Sequence, residues 1–309
     1  MPRHPRDHHE HMRAGGPLLM VASAATWAAG LVLTKVTLDT TGAAPGSVLV
    51  VQLVASVGTL AAAYAVTGAS LRGAWRQGWV GLLEPGIAYQ FGLAGLALTS
   101  ATNASVLGSL EPVMVPLIAW VLLRERPHRR LVVVIAGATV GSVLVSFSAD
   151  GGAGSWAGDG LVVASVVAAA LYVVVASKQV TTVAPLPAAL TQQVWALGFV
   201  IVSQFVLAGP LLWPSAKPAH LLLAATAGIL NYALPFWLYL TALTRMPVAR
   251  AATYLTLIPV FGVLGAVLTL GEQVTWLDLA GGALVVGSLV ADASSAQTDD
   301  VVLKGEEVQ

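Results

Sequence analysis

Ten stretches of mostly apolar residues run along this chain of 309 residues, and short connections containing Gly, Pro or Asp separate most of them. Each stretch is close to the ~20 residues that a helix needs to cross the ~30 Å hydrocarbon core of a bilayer. None shows the strict alternation of apolar and polar residues that marks a strand of a membrane barrel. Inside lipid, a helix satisfies the polar groups of its own backbone. The pattern therefore predicts an all-α integral membrane protein with ten transmembrane helices, at about residues 17–36, 46–67, 78–98, 102–122, 131–148, 158–178, 187–208, 219–241, 248–270 and 274–292.

An internal repeat divides the apolar part of the chain into two similar halves. The segment ASVLGSLEPVMVPLIAWVLLRERP at residues 104–127 has a second copy, AATYLTLIPVFGVLGAVLTLGEQ, at residues 251–273. Glu125 of the first copy corresponds to Glu272 of the second. Because each half holds five predicted spans, an odd number, the second half is predicted to lie upside down relative to the first. The predicted boundaries are 17–148 and 149–292 for the two repeats, and 1–16 and 293–309 for two disordered cytoplasmic tails.

Composition and motifs restrict the classes of function. The chain is 57% hydrophobic and 10% charged, whereas soluble domains have about 25% charged residues. It has no cysteine, which excludes a disulfide framework, a zinc–thiolate site and a thiol nucleophile. The motifs HExxH, GxSxG and GxxxxGK[ST] are absent from the sequence, so we expect no enzyme, no cofactor, no metal site and no nucleic-acid partner. Histidines in the polar N-terminal tail invite a metal-binding interpretation, but a solvated tail is favoured because nothing nearby would fix ligand geometry. These histidines are His4, His8, His9 and His11.

The lysines and arginines are distributed unevenly between the two sides of the predicted spans. When the N-terminus is placed inside, thirteen of the fifteen fall on the inner side, and only Lys35 and Lys217 fall on the outer side. Cytoplasmic loops carry an excess of Lys and Arg, so this distribution predicts cytoplasmic termini and supports the count of ten spans. Lys35 and its repeat counterpart Lys178 fall on opposite sides, as an inverted repeat requires. We therefore expect a multi-pass protein of the cytoplasmic (inner) cell membrane.

The repeated motifs resemble those of a known transporter family. LEPV…AWVLLRERP followed by IAGATVGSVLV, repeated as LIPVFGVLGAVLTLGEQ followed by GGALVVGSLV, resembles the paired EamA-type domains of the drug/metabolite transporter superfamily. The resemblance extends from about residue 17 to residue 292. It implies ten spans in an inverted five-plus-five fold and the transport, often the export, of small metabolites. It does not imply a particular substrate.

Two carboxyl groups inside predicted spans are the first candidates for a functional site, because ionisable groups within a membrane are costly and mark function. Glu111 is predicted near the middle of the fourth span beside Pro112, whose missing N–H can kink the helix and free carbonyl groups. Burial disfavours a charged carboxylate, so Glu111 is our first candidate for proton coupling or for binding a cationic group of the substrate. The alternative is that a protonated Glu111 donates a hydrogen bond to a freed carbonyl group. Glu84 in the third span is the second candidate for proton coupling, and an ion pair with Arg72, Arg76 or another inner-surface cation is its structural alternative.

Neutral polar and aromatic residues in the spans supply the other candidates for substrate binding. For each of them, an interhelical hydrogen bond or interface anchoring is an equally good interpretation. As a set they predict a modestly polar cavity lined by aromatic side chains, which suits a small zwitterionic or planar metabolite. With Glu111, the candidate substrate-binding residues are Trp27, Tyr89, Gln90, Gln192, Trp195, Asn231 and Tyr239.

Small residues recur at a four-residue spacing in the fifth and tenth predicted spans, as Gly137-xxx-Gly141 and Ala283-xxx-Gly287. This spacing lets two helices approach each other closely. We expect it to serve packing within the chain, with dimerisation as the alternative. The sequence leaves both a monomer and a homodimer open.

The inverted repeat and the buried carboxyl groups together predict a secondary transporter. It is expected to move a small organic metabolite, amino acid-like, nucleobase-like or drug-like, by alternating access, with efflux as the direction and protons as the coupling ion. One alternative is a flippase for a lipid-linked substrate, for which Lys35 is the basic candidate. The other is a non-transporting membrane protein. The expected partners are a small-molecule substrate and the lipid bilayer.

Overall fold

A computed structural model describes the chain at residues 15–67, 70–71, 73–99, 107–108, 110–124, 129–146, 155–208, 213, 217–270, 275–277 and 279–291. Within these residues all regular secondary structure is helical and no β-strand is present, which confirms the predicted all-α class. Some residues that the sequence singles out lie outside these ranges. They are Arg72, Glu125, Glu272 and both predicted tails apart from Gly15 and Gly16.

The helices of the described residues, numbered in chain order, are α1 (Gly16–Thr41), α2 (Pro45–Thr67), α3 (Ala74–Gln77), α4 (Ala88–Leu98), α5 (Glu111–Leu123), α6 (Arg129–Ser146), α7 (Trp156–Gln179), α8 (Pro185–Ser203), α9 (Pro218–Gly228), α10 (Leu234–Leu243), α11 (Val248–Tyr254), α12 (Leu257–Leu270) and α13 (Leu279–Ala291). A 3₁₀ turn (Gly78–Leu82) and a π turn (Leu83–Ile87) connect α3 to α4. A second π turn (Gln204–Ala208) extends α8, and a third (Ile229–Ala233) connects α9 to α10.

Residues at the helix ends explain several of these boundaries. Proline lies in the first turn of α1, α8 and α9, where its missing N–H would have no helical partner in any case. Ser155 caps α7, because its side chain accepts a hydrogen bond of 3.0 Å from the backbone N–H of Gly158. Gly42 ends α1 in the left-handed conformation, with φ of 62°, which glycine adopts at little cost.

Six helical segments of the described residues are long and apolar enough to cross a membrane. They are Gly16–Thr41, Pro45–Thr67, Trp156–Gln179, Pro185–Val206, Pro218–Leu243 and Val248–Gly265. The other four predicted spans overlap helices that do not meet both criteria, length and composition, in the described part of the chain. The count of ten transmembrane helices therefore stays a prediction.

The outer surface of the helices is apolar over much of its extent. Val66, Val121 and Leu268 are among the many large apolar side chains that are well exposed. A soluble monomer rarely exposes contiguous apolar patches of more than a few hundred Å². Trp156 and Trp276, which are also exposed, lie near helix starts, where tryptophan is enriched at the membrane–water interface. These features fit a protein surrounded by lipid.

The two halves of the chain pack against each other in reciprocal pairs. From the first half, α1 packs against α9, α10 and α12 of the second. From the second half, α7 packs correspondingly against α4 and α5 of the first. In the same way α2 packs against α9, and α8 packs against the 3₁₀ turn that precedes α4. The two halves therefore share one core, and its central side chains come from both.

Two glycines allow helices of opposite halves to touch through their backbones. A Cβ atom at Gly81, just before the first π turn, would lie only 2.0 Å from the carbonyl oxygen of Gln192 in α8. A Cβ atom at Gly228, just before the third π turn, would lie 2.3 Å from the carbonyl oxygen of Gln52 in α2. Each half thus has a glycine just before a π turn, and this glycine contacts the backbone of a glutamine in the other half.

The small residues of the fifth predicted span pack within the chain. A Cβ atom at Gly141 in α6 would lie 2.6 Å from the carbonyl oxygen of Gly281 in α13, and one at Gly137 would lie 2.5 Å from the Ser288 hydroxyl oxygen. Internal packing of this pair is therefore confirmed. A Cβ atom at Gly287 would meet no described atom within 4 Å, so the second pair does not pack in the same way.

Candidate functional site

The helix that contains Glu84 is interrupted at this residue. Glu84 has an extended backbone, with φ of −148° and ψ of 131°, between two helical stretches. Proline disfavours the helical conformation in the residue before it, so Pro85 accounts for the interruption. The Glu84 side chain is buried and interacts electrostatically with the carboxyl group of Glu111. No Lys or Arg of the described residues forms an ion pair with Glu84, so the alternative of a pair with Arg76 is wrong.

Glu111 lies in the first turn of α5 and is half-buried. Pro112 follows in the same turn, where its missing N–H costs no hydrogen bond within α5. Residue 109 lies outside the described residues, so the kink predicted at Pro112 stays a prediction. Pro116 does lie inside α5 and removes one hydrogen bond there. The positive end of the helix dipole favours a carboxylate in this first turn. Glu84 and Glu111 thus approach each other from a helix break and a helix start.

Four tyrosines lie within electrostatic reach of the two carboxyl groups. Tyr89, Tyr172, Tyr232 and Tyr239 all interact electrostatically with Glu84, and Tyr89 and Tyr239 also interact with Glu111. Tyr89 belongs to the first half of the chain, whereas the other three belong to the second half. We call these two glutamates and four tyrosines the central cluster. It lies where the two halves meet.

Two further aromatic residues, Trp27 and Phe236, contact tyrosines of the central cluster. The Trp27 Nε1–H of α1 donates a hydrogen bond of 2.8 Å to the Tyr89 hydroxyl oxygen. The ring centroid of Phe236 in α10 lies 5.0 Å from that of Trp27 and 5.6 Å from that of Tyr172. The Tyr89 and Tyr232 rings meet edge to face at 5.1 Å. Such tilted arrangements are favourable for aromatic pairs, and here they connect four helical segments.

A buried chain of hydrogen bonds continues from the cluster into α8. The Tyr172 hydroxyl donates to Gln192 Oε1 at 2.9 Å, and Gln192 Nε2 donates to Gln179 Oε1 at 2.5 Å. Gln192 is fully buried. The predicted site residue Gln192 therefore reaches the central cluster through Tyr172, and its amide group orients that tyrosine.

Tyr172→Phe is expected to lower the free energy of unfolding by about 1–3 kcal/mol, because the buried Gln192 oxygen loses its donor. Thermal unfolding of the purified protein in detergent measures the change. Tyr64→Phe is the matched control, since it removes the hydroxyl of a half-buried tyrosine in α2. Equal stability of the two variants would show that the hydrogen bond contributes nothing.

Several buried polar atoms have no hydrogen-bond partner among the described residues. Burying such an atom is costly unless it finds a partner. Gln193 belongs to this group, although its Nε2 donates at 3.4 Å to the backbone carbonyl of Tyr232. Eight such atoms are found among the described residues, and four of them are Tyr239 Oη, Asn231 Oδ1, Gln193 Oε1 and Gln90 Nε2.

Trp195 is a predicted site residue that the structure does not bring to the central cluster. Its ring lies 6.4 Å from that of Trp75, and it packs against the backbone of Gly78. It is also partly exposed on the surface of α8. Trp195 thus packs on the segment that contains Trp75 and Gly78. The sequence does not reveal this, because a helix that is apolar on all sides gives no sign of which face meets which neighbour.

Two members of the site were missed by sequence reasoning. Tyr172 is the one aromatic residue of the sixth predicted span, and Phe236 follows Pro235 in the eighth. The isolation of Tyr172 in a run of Ala and Val was a signal that could have been used. Phe236 offers no such signal, because apolar residues surround it in the sequence.

The described residues contain no group of three or more His, Cys, Asp or Glu that could hold a metal ion. The site therefore consists of carboxyl, phenol, amide and aromatic groups. Such groups can exchange protons and bind polar parts of an organic molecule.

Comparisons with known proteins agree with the apolar helical architecture. The model of the EamA-like transporter family matches residues 14–147 and again residues 156–291. A relative described as "Uncharacterized transporter YetK", from Bacillus subtilis (strain 168), is 24% identical over 224 residues, which is 70% of this chain and 66% of the relative. The match thus spans just under two thirds of that relative's length.

A solved structure, described as "Crystal structure of protein", has the same fold. It superposes with a TM-score of 0.77 over 93% of this chain and 99% of the other, at 20% sequence identity. Because the family model matches both repeats and together they make up most of the chain, this protein belongs to the EamA-like transporter family.

Proposed function

We propose that the protein is a secondary transporter that exports a small organic metabolite across the cytoplasmic membrane by alternating access, with protons as the coupling ion. One observation carries this proposal. Glu84 and Glu111 of the first half interact electrostatically with tyrosines of the second half, Glu84 with Tyr172, Tyr232 and Tyr239, and Glu111 with Tyr239. No described Lys or Arg forms an ion pair with either carboxyl group. A site at the junction of two repeats is what alternating access requires.

The proposed architecture is the inverted five-plus-five arrangement, with repeats at 17–148 and 149–292 and both termini in the cytoplasm. The reciprocal packing of α1 and α7 across the two halves supports it. So do the corresponding contacts of Gly81 and Gly228. The excess of Lys and Arg on the side of the N-terminus supports the orientation.

Proton coupling follows from the electrostatics of the pair. Two carboxylates that approach each other with no nearby cation repel each other. A proton or a bound substrate relieves this repulsion, so the pair can hold one or the other as the two halves change their packing. The tyrosine hydroxyl groups keep a polar environment around the carboxyl groups in each case.

The flippase alternative loses its basic candidate. The Lys35 ammonium group forms an ion pair with Asp39 at 2.5 Å, and both side chains are more than half exposed. Lys35 therefore lies on the surface of α1 and does not reach the central cluster. A lipid phosphate would need a cation that the described part of the cluster does not supply.

Counterflow in liposomes tests the proposed function. Proteoliposomes loaded with one unlabelled solute at a time are diluted into a trace of the same labelled solute, with amino acids, nucleobases and simple amines as the panel. We expect one chemical class to accumulate transiently, and an imposed pH gradient to change its steady level. If no solute moves through protein that is folded in the bilayer, transport of small metabolites is wrong, and lipid-linked substrates are the next to be tested.

A further inference from the structure

We propose that the central cluster selects an organic ammonium cation, meaning an amine attached to an apolar body and lacking a carboxylate of its own. This inference rests on the proposed transport function and names the substrate class for the same site. Glu84, Glu111 and the aromatic rings around them carry it, and each contribution is considered in turn.

The charges of the cluster favour a cation. Within the described residues, the groups that interact electrostatically with Glu84 are Glu111 and tyrosines. Neither Lys35 nor Arg76 contacts either glutamate. An ammonium group supplies the missing positive charge, whereas the carboxylate of an amino acid would meet like charge. The site therefore discriminates against a zwitterion by repulsion.

The aromatic rings favour a cation for a separate reason. Rings attract a positive charge that lies over their faces. The tilted packing of Trp27 and Tyr172 on Phe236, and of Tyr89 on Tyr232, arranges five rings from both halves around the same region. The rings also provide the apolar walls that the body of an aryl or alkyl amine needs.

The unpartnered polar atoms favour an N–H donor. Tyr239 Oη is buried, has no hydrogen-bond partner among the described residues, and interacts electrostatically with both glutamates. Two more buried acceptors without a described partner lie near Tyr232. They are Asn231 Oδ1, in the preceding residue, and Gln193 Oε1, whose amide group contacts the Tyr232 carbonyl. A primary or secondary ammonium group can donate to such acceptors, whereas a quaternary ammonium group cannot. The expected cation therefore carries N–H groups.

A series of three probes tests the inference on the unmodified full chain in detergent. Phenethylammonium, phenylalanine and 2-phenylethanol share a phenylethyl body and differ in the charged or polar group. Isothermal titration calorimetry is expected to show phenethylammonium binding at least about tenfold more tightly than either of the others, which corresponds to about 1.4 kcal/mol. Equal binding of the three, or tighter binding of phenylalanine, would overturn the inference.

Variants locate the binding. Tyr232→Leu removes one ring of the central cluster and is expected to weaken phenethylammonium binding by about fivefold. Trp195→Leu, which removes an aromatic ring outside the cluster, is the matched control and is expected to bind like the parent. Loss of binding in the control variant alone would place the cation elsewhere and overturn the assignment.

The same probes separate this inference from the proposed function. Counterflow of phenylalanine without binding of phenethylammonium would leave a transporter and overturn the cation assignment. Binding of phenethylammonium without counterflow of any solute would keep the cation site and overturn the transport function.

Discussion

Gly81→Ala and Gly228→Ala are expected to prevent the accumulation of folded protein. The new Cβ atoms would lie 2.0 Å and 2.3 Å from the carbonyl oxygens of Gln192 and Gln52. Overpacking usually costs about 1–3 kcal/mol and occasionally more, and here the obstacle is helix backbone, which no side-chain rotation can move away. Because both contacts join opposite halves of the chain, the expected defect is loss of the junction between the halves.

Two matched glycines provide the controls for this prediction. Gly198 lies in the same helix as Gln192, and Gly58 lies in the same helix as Gln52, and a Cβ atom at either would meet no described atom within 4 Å. Gly198→Ala and Gly58→Ala are expected to express and elute like the parent in size-exclusion chromatography of detergent extracts. Normal monodisperse peaks for Gly81→Ala and Gly228→Ala would contradict the packing described for the junction.

Glu111→Gln is expected to abolish accumulation of solute driven by a pH gradient, with a loss of at least about tenfold in the initial rate, or about 1.4 kcal/mol in the barrier. Glutamine has nearly the same shape as glutamate but cannot bind and release a proton. Counterflow needs no net movement of protons, so we expect it to persist with lower affinity, because Glu84 remains. Glu84→Gln is expected to give the same pattern.

Asp39→Asn is the control for the glutamate variants. Asp39 is an exposed carboxylate paired with Lys35 on the surface of α1, and exposed ion pairs contribute little. Parental rates are expected for this variant in both assays. If Glu111→Gln and Glu84→Gln retain accumulation driven by the pH gradient, protons are coupled at another place and the role proposed for the pair is wrong.

The general class of the fold could be predicted from the sequence because it depends on composition and on the length of apolar stretches. The all-α class and the family resemblance are both confirmed. The contacts of Gly81 with Gln192 and of Gly228 with Gln52 could not be predicted in this way. An apolar helix in lipid is apolar on all sides, so its sequence does not reveal which face meets another helix.

The candidate site was predicted in part. Glu84, Glu111, Tyr89 and Tyr239 lie in the central cluster, since buried carboxyl groups are rare enough in spans to stand out. The ion pair considered for Glu84 rested on cations expected at the inner surface, whereas the buried Glu84 side chain has no described Lys or Arg as a partner. Asn231 and Gln90 have unpartnered buried atoms, and their part in substrate binding stays a prediction.

The absence of cysteine from the chain makes the central claim directly testable. A single cysteine is introduced in place of Tyr239, the buried residue that interacts with both glutamates. A membrane-impermeant cationic thiol reagent, 2-(trimethylammonium)ethyl methanethiosulfonate, is then applied to right-side-out and to inside-out vesicles. Lys35→Cys and Lys178→Cys are the controls, because both side chains are exposed and are expected on opposite faces of the membrane.

The measurement is the extent of labelling of Tyr239→Cys from each side of the membrane. We expect labelling from both sides, and labelling of each control cysteine from one side only, Lys35→Cys from the outside and Lys178→Cys from the inside. Such a result means that the two halves of the protein expose the central cluster to each face in turn. Labelling of Tyr239→Cys from one side only, or from neither side, in folded protein would contradict alternating access at this site.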